Sequence, residues 1–213
     1  MLSAPRTAPD ARGPRRRQAT PAGEGQIFFR HWLRNPLGIA ALTPSSDRVG
    51  RGMARAIDLT RPGTVLELGG GTGGVTQGLI DAGCPIERLA VIEREPDLAR
   101  YLERRFQALH VICGDACDCA TLLADAGIEQ LAAVVSSLPI KWFPRAAQRA
   151  VLEGCFERLG RGGSFVQLTN ALTSPLRAAE LGLDGEEVLR IWTHFLPVQI
   201  WRYRLRPTEI GRC

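Results

Sequence analysis

Val65-Leu66-Glu67-Leu68-Gly69-Gly70-Gly71-Thr72-Gly73-Gly74 is an apolar run that meets a carboxylate and then a glycine-rich turn. A helix is predicted next, near 73–83, so the stretch reads strand, turn, helix. Glycines accept positive φ and leave no Cβ between the backbone and a ligand. The backbone N–H groups at the helix start then face whatever sits in the turn. Such a turn is a seat for a nucleotide cofactor. Two patterns fit it. Gly69, Gly71 and Gly74 satisfy G-x-G-x-x-G, the dinucleotide pattern, which is weak evidence alone. Glu67, Gly69, Gly71 and Gly73 satisfy E-x-G-x-G-x-G. A pyrophosphate gains nothing from Glu67, because a carboxylate repels it.

The second pattern resembles motif I of the class I S-adenosylmethionine (SAM) methyltransferases. That resemblance implies that Glu67 lies near the cofactor's cationic methionine end. The following strands agree with it. The run from Arg88 to Glu93 reads as a second strand ending in an acid, whose carboxylate can accept both ribose hydroxyls. His110 to Cys113, followed by Gly114-Asp115-Ala116, reads as a third strand. By resemblance its acid meets the adenine amino group. Leu131 to Ser136, followed by Ser137-Leu138-Pro139, reads as a fourth strand opening on the transferable methyl. An acid after a strand is usually a cap or a solvated end. Four such elements in order carry more weight than any one. The expected cofactor is therefore SAM, lined by Glu67, Gly69, Gly70, Gly71, Thr72, Gly73, Glu93, Arg94, Asp115, Ala116 and Ser137.

Strands alternate with helices predicted near 47–57, 73–83, 96–106, 119–126 and 144–159, and a fifth strand is predicted at 164–170. Alternation of this kind predicts an α/β fold, a parallel sheet with helices on both faces. Helical residues are expected near 174–190. Ile191 to Leu205 reads as an antiparallel pair turning near Pro197. A closing hairpin is characteristic of SAM methyltransferases, whereas a dinucleotide fold continues with parallel strands. The expected architecture is a Rossmann-like class I methyltransferase: seven strands, mostly parallel, with a C-terminal antiparallel hairpin.

The 213 residues fit one domain with appendages, and an apolar content of 45% supplies an ordinary core. No run of about 18 apolar residues occurs, so no transmembrane helix is expected. Cysteines stand at 84, 113, 117, 119, 155 and 213. A chain of this size does not depend on disulfides, and Cys113, Cys117 and Cys119 lack paired zinc-ligand spacing. They are expected to be reduced and buried or inert, with no metal site.

Residues 1–23 hold Arg6, Arg12, Arg15, Arg16 and Arg17 against Asp10 alone, or +4 of the formal +5 charge. They carry little that could form a core and read as a disordered basic arm, with no secretory signal. Residues 24–58 are expected to form an amphipathic helix, a capping loop and a further helix, and residues 59–213 the methyltransferase domain. In the stretch from Gln26 to Leu37, Phe28, Phe29, Trp32 and Leu33 share one helical face, flanked by Arg30 and Arg34. Such a helix suits an anionic membrane interface; the plainer alternative is packing on the core.

Beyond these motifs, residues 24–206 resemble the bacterial phospholipid N-methyltransferases, which convert phosphatidylethanolamine stepwise to phosphatidylcholine. The resemblance is carried by the Phe28-to-Leu33 segment with Pro36-Leu37, Thr43-Pro44-Ser45-Ser46, the glycine turn and Ile92-Glu93. It is carried also by Gly114-Asp115-Ala116, Ser136-Ser137-Leu138-Pro139, Phe165-to-Thr169, Ser174-Pro175 and Val198-to-Tyr203. It implies a membrane phospholipid substrate, and a monomeric enzyme peripheral to the inner face of the cytoplasmic membrane. Ser137, Leu138 and Pro139 would position the amine. Pro44, Ser45, Ser46, Thr169 and Asn170 would flank the substrate, with Thr43–Ser46 and Ser137–Pro139 converging over the methyl. Two positions depart from the family: Gly70 stands where proline is usual, and Asn170 where an aromatic is usual. The first is expected to loosen the turn, the second to alter substrate choice.

Ribosomal RNA adenine N6-methyltransferases, distantly similar, are the alternative. Their Asn-x-Pro-aromatic element stacks a flipped base. Here the element reads Ser137-Leu138-Pro139-Ile140, without a π-face, so nucleic acid is not the expected partner. A membrane-associated SAM-binding protein without activity and a nicotinamide dehydrogenase are further alternatives. An ethanolamine ammonium must lose a proton before attack, yet no His–carboxylate pair marks a base; His31 and His194 are read as packing or surface residues.

Overall fold

The computed structural model describes residues 46–192 and 197–207, with the backbone alone for Ser46–Arg48. Helix α1 (Ser46–Ala54) precedes β1 (Thr64–Leu68), α2 (Gly74–Asp81), β2 (Leu89–Glu93), α3 (Pro96–Arg105) and β3 (His110–Cys113). Then come α4 (Cys119–Asp125), β4 (Leu131–Ser136), α5 (Arg145–Leu159), β5 (Ser164–Thr169), β6 (Leu183–Ile191) and β7 (Val198–Leu205). The seven strands form one sheet in the order β3-β2-β1-β4-β5-β7-β6. β1 to β5 are parallel, and β7 runs antiparallel to both β5 and β6.

The central strands are apolar at consecutive positions because both sheet faces are covered. Val49 and Met53 of α1, Leu79 of α2 and Leu102 of α3 pack with Val65, Val91 and Val135 on one face. Leu123 of α4 and Val151, Cys155 and Phe156 of α5 pack with Leu66, Leu68 and Val134 on the other. Local chemistry sets the helix boundaries. Pro96 opens α3, Asp97 sits in its first turn and Arg104 and Arg105 in its last, matching the helix dipole.

Two glycines bring α1 against α2. A Cβ on Gly50 would lie 2.8 Å from the Gly78 Cα and from the Val75 carbonyl oxygen. Gly50 thus faces Val75 and Gly78, and Arg51 pairs with Asp81 at 3.7 Å. The two helices therefore run in the same sense. The chain enters α1 at the end of α2 that starts from the glycine turn.

The helix expected near 174–190 is not formed. A 3-10 turn spans Ala178–Leu181, and Leu183–Ile191 is the edge strand β6. Glu186, Glu187 and Arg190 mimic a charged helical face, but they line an exposed sheet edge, where charge discourages further pairing. Gly182 reverses the chain at φ 68, Gly185 lies against the Tyr203 ring, and a bulge between Glu187 and Leu189 breaks the alternation. The closing hairpin exists, but its first arm is Leu183–Ile191; residues 193–196 of its connection lie outside the described residues. Cys84, Cys119 and Cys155 are buried and Cys117 half-buried, whereas Cys113 is exposed, because the edge strand β3 shields it less.

Candidate functional site

Strand order reverses direction between β1 and β4, so the loops after these strands part and leave a crevice at their C-terminal ends. The glycine turn forms one wall. Its glycines differ in what a side chain would meet. A Cβ on Gly70 would lie 2.5 Å from Val91 Cγ1, and one on Gly73 2.4 Å from Phe106 Cε2. Those two are packing glycines, and at Gly70 the departure from proline is matched by Val91 and Leu102 filling the space. Gly69 faces Ser137 and Leu138. Gly71, at φ 55, would point a Cβ into open space. Thr72 is exposed, and its carbonyl accepts a hydrogen bond from Arg105 at 2.6 Å.

Glu93, at the end of β2, clamps this turn. Its Oε2 accepts the Gly71 N–H at 2.8 Å and its Oε1 the Glu95 N–H at 2.9 Å. Each oxygen keeps a lone pair, so a ribose diol remains acceptable to it. Asp115, after β3, caps the 3-10 turn Ala116–Asp118 by accepting the Cys117 N–H at 2.9 Å. Arg94 reaches Asp115 at 3.6 Å, and Ala116 is buried. Asp115 therefore has a local structural role whether or not it meets a ligand.

Glu67 is 1% exposed. Its Oε2 accepts the Thr76 hydroxyl at 2.6 Å, while Oε1 has no partner among the described residues. Burial pushes this carboxyl up to about 8; the Thr76 hydrogen bond opposes the rise and the Glu93 charge adds to it. A buried carboxyl with an orphaned oxygen beside a glycine turn is a natural counterion for a cationic ligand. With the open space at Gly71 and the diol acceptors of Glu93, the residues fit SAM, whose methionine end is cationic.

The opposite wall is the loop after β4. The Ser137 N–H donates to the Leu68 carbonyl at 3.1 Å and its hydroxyl to the Gly69 carbonyl at 2.7 Å. Ser137 thus ties the two walls together, and its oxygen lone pairs stay open. Leu138 is buried, and its carbonyl accepts Gln167 Nε2 at 2.8 Å. Pro139 is half-buried and leads into a 3-10 turn whose Ile140 is fully buried. Trp142 stands exposed and Phe143 is packed inside. Thr169 accepts the Ala171 N–H at 3.0 Å, and Asn170 is exposed.

Gln167 was not singled out as a site residue by sequence reasoning. It is fully buried and donates to the Leu138 and Leu168 carbonyls, yet its Oε1 has no described partner. On the same face of the sheet, Gln199 holds Trp201 through Oε1 while its Nε2 is likewise unsatisfied. The signal was a glutamine amid apolar neighbours in β5. Phe28, Phe29, Arg30, Trp32, Leu33, Arg34, Pro44 and Ser45 lie outside the described residues, as do His31 and His194; Ser46 is described only as the start of α1.

No protein-family model matches the chain. The ornithine lipid N-methyltransferase of Singulisphaera acidiphila is 37% identical over 146 residues, covering 67% of this chain and 76% of that protein. Among solved structures, a TehB-like SAM-dependent methyltransferase from Corynebacterium glutamicum aligns with a TM-score of 0.54 and 17% identity. The match covers 85% of this chain and 98% of that one. Magnesium protoporphyrin IX methyltransferase of Synechocystis PCC 6803, solved with bound SAM, aligns with a TM-score of 0.56 and 11% identity, over 89% and 87%. The structures speak for the fold, and the sequence relative for the family. At that identity and coverage the chain belongs to the family of the ornithine lipid N-methyltransferase, and it is a class I SAM-dependent methyltransferase.

Proposed function

We propose that this methyltransferase acts on the primary amine of a membrane lipid at the inner face of the cytoplasmic membrane. Phosphatidylethanolamine, taken towards phosphatidylcholine, is the substrate that the motifs imply. The 37% identical relative favours a second reading, an ornithine lipid. Both head groups carry a primary amine together with an acidic group. The observation that carries the proposal is the chemistry after β4: Ser137 Oγ is a neutral, half-buried acceptor beside Gly69, and the neighbouring Leu138 carbonyl is held in place by Gln167 Nε2.

When bound, SAM supplies an electrophilic methyl on a sulfonium. Gly69 and Gly71 would shape its seat, Glu67 would face its charged end, Glu93 its ribose and Asp115 its adenine. Ser137 and the Leu138 carbonyl would accept the N–H bonds of the amine and aim its lone pair. Alignment of this kind supplies a large part of a methyl-transfer barrier. The amine must arrive deprotonated. Partial desolvation in the crevice disfavours its charged form. Among the described residues, the histidine His110 stands at the start of β3, at the opposite end of the strands, and serves no proton transfer here. The helix expected over residues 26–37 would hold the enzyme at the bilayer while the basic arm adds charge.

The test is methyl transfer from deuterated SAM by the purified chain to phosphatidylethanolamine and to ornithine lipid in separate vesicles, read by lipid mass spectrometry. Labelled N-methyl lipid is expected from one or both. Label in neither, with transfer to structured RNA instead, would overturn the proposal.

A further inference from the structure

Five large apolar side chains are exposed among the described residues: Tyr101, Trp142, Leu172, Trp192 and Leu205. Three of them share one place in the fold. Trp142 follows β4, Leu172 follows β5 and Trp192 follows β6, and β6 runs in the same direction as β5 because each is antiparallel to β7. All three therefore stand at the same end of the sheet as the glycine turn and Ser137. Leu172 is 69% and Trp192 73% exposed.

Each tryptophan has a cation beside it. Lys141 Nζ lies 5.9 Å from the centroid of Trp142, and the Arg190 guanidinium, itself paired with Glu187 at 2.7 Å, 5.9 Å from that of Trp192. Next to Trp142, a cleft of about 430 Å³ is lined by Lys141, Arg145, Arg149 and Arg177, with Glu180 as the acid in its wall. Glu180 engages Arg145 and Arg177. Lys141 and Arg149 form no ion pair among the described residues. Tryptophan beside lysine or arginine, with aliphatic surface between, is the composition of a membrane–water interface.

We propose that this rim is the face the protein lays on an anionic bilayer. Trp142 and Trp192 sit at headgroup level, Leu172 reaches the acyl boundary, and the basic cleft takes lipid phosphates. The inference rests on the lipid-methyltransferase reading and deepens it. A membrane so placed meets the end of the strands where the crevice lies, so an amine head group reaches Ser137 without the lipid leaving the bilayer. A nucleic acid suits the rim less well, because Leu172 offers it neither charge nor a π-face.

The test is flotation of the full chain with vesicles of phosphatidylglycerol and phosphatidylethanolamine, compared with phosphatidylcholine vesicles. Wild type is expected to prefer the anionic vesicles. The Trp142→Glu/Trp192→Glu double variant should partition roughly tenfold more weakly, since it loses two anchors and gains two repelled charges. Its SAM affinity by calorimetry and its activity on detergent-dispersed lipid should stay within about twofold of wild type. Lys141→Gln/Arg149→Gln, which leaves the aromatics in place, should lose the preference for anionic vesicles; it keeps the proposal falsifiable if the glutamate variant does not fold. Equal flotation of wild type and either folded variant would overturn it. So would a wild type that ignores vesicles and retards structured RNA. Weakened flotation in an enzyme that methylates neither lipid would leave this face standing and remove the substrate assignment instead.

Discussion

A single methyl group at Gly71 separates a ligand cradle from a glycine that only shapes a turn. In Gly71→Ala the new Cβ meets nothing within 4 Å, and the cost to the fold is that of holding alanine at φ 55. That is about 1–2 kcal/mol, a loss of roughly 2–8 °C in Tm for a domain of this size. The same open space is where the cofactor would lie, so the methyl presses on the ligand instead. Overpacking of this kind costs about 1–3 kcal/mol, or about 5- to 150-fold in affinity. Gly73→Ala is the contrast. Its Cβ would sit 2.4 Å from Phe106 Cε2 and 3.0 Å from Leu102 Cδ2, at φ 79. Overpacking adds to the backbone term, for about 2–5 kcal/mol of stability in total. Calorimetric titration with SAM and urea denaturation of both variants measure the two effects separately. The Gly71 variant should lose affinity out of proportion to stability, and the Gly73 variant the reverse. Wild-type SAM affinity in Gly71→Ala would refute the placement of the ligand over this turn.

Glu67→Gln removes a carboxyl that burial holds near pKa 8 against an ordinary 4.5. From about pH 4.5 to 8 the folded state keeps a proton that the unfolded chain releases, so wild-type stability declines as pH rises through that window, and the variant should lack this slope in urea midpoints taken across it. A cation brought to Glu67 favours the charged form, so SAM binding near pH 7 should release a proton, seen as a buffer-dependent calorimetric enthalpy that vanishes in Glu67→Gln. Gly78→Ala would place a Cβ 2.5 Å from the Gly50 Cα; the overpacking cost of about 3 kcal/mol exceeds the roughly 1 kcal/mol of helix propensity gained, and thermal unfolding should report a net loss. Ser137→Ala removes the acceptor proposed for the amine and Gln167→Leu releases the Leu138 carbonyl beside it, so kcat should fall about tenfold or more while SAM affinity stays within about threefold; equal losses in both quantities would make them merely structural.

The sheet and its site-bearing ends were legible because their signals are local. An apolar run, a turn and an acid recur at β1, β2, β3 and β4, and parallel strands covered on both faces spell themselves out as Val, Leu and Ala. While Ile191 opens the expected hairpin, the stretch from Leu183 to Arg190 falls within the helix expected near 174–190. Its partner strand β7 and the Tyr203 ring against Gly185 decide otherwise, and both are distant in sequence. Glu67 could be read as a site residue, but its Thr76 partner and its raised pKa depend on how α2 folds back over β1. Gln167 escaped notice as a site residue because an orphaned amide oxygen is visible only once β4 and β5 lie side by side.

The central claim is that this chain moves methyl groups from SAM onto a lipid amine. Its most direct measurement is the lipid profile of a host that makes phosphatidylethanolamine and ornithine lipid but methylates neither, expressing the wild-type chain or Gly71→Trp at equal levels. The account predicts mono-, di- or trimethylated derivatives of one of these lipids with wild type and none with the variant. An unchanged lipid profile in cells that hold folded, SAM-binding enzyme would contradict it.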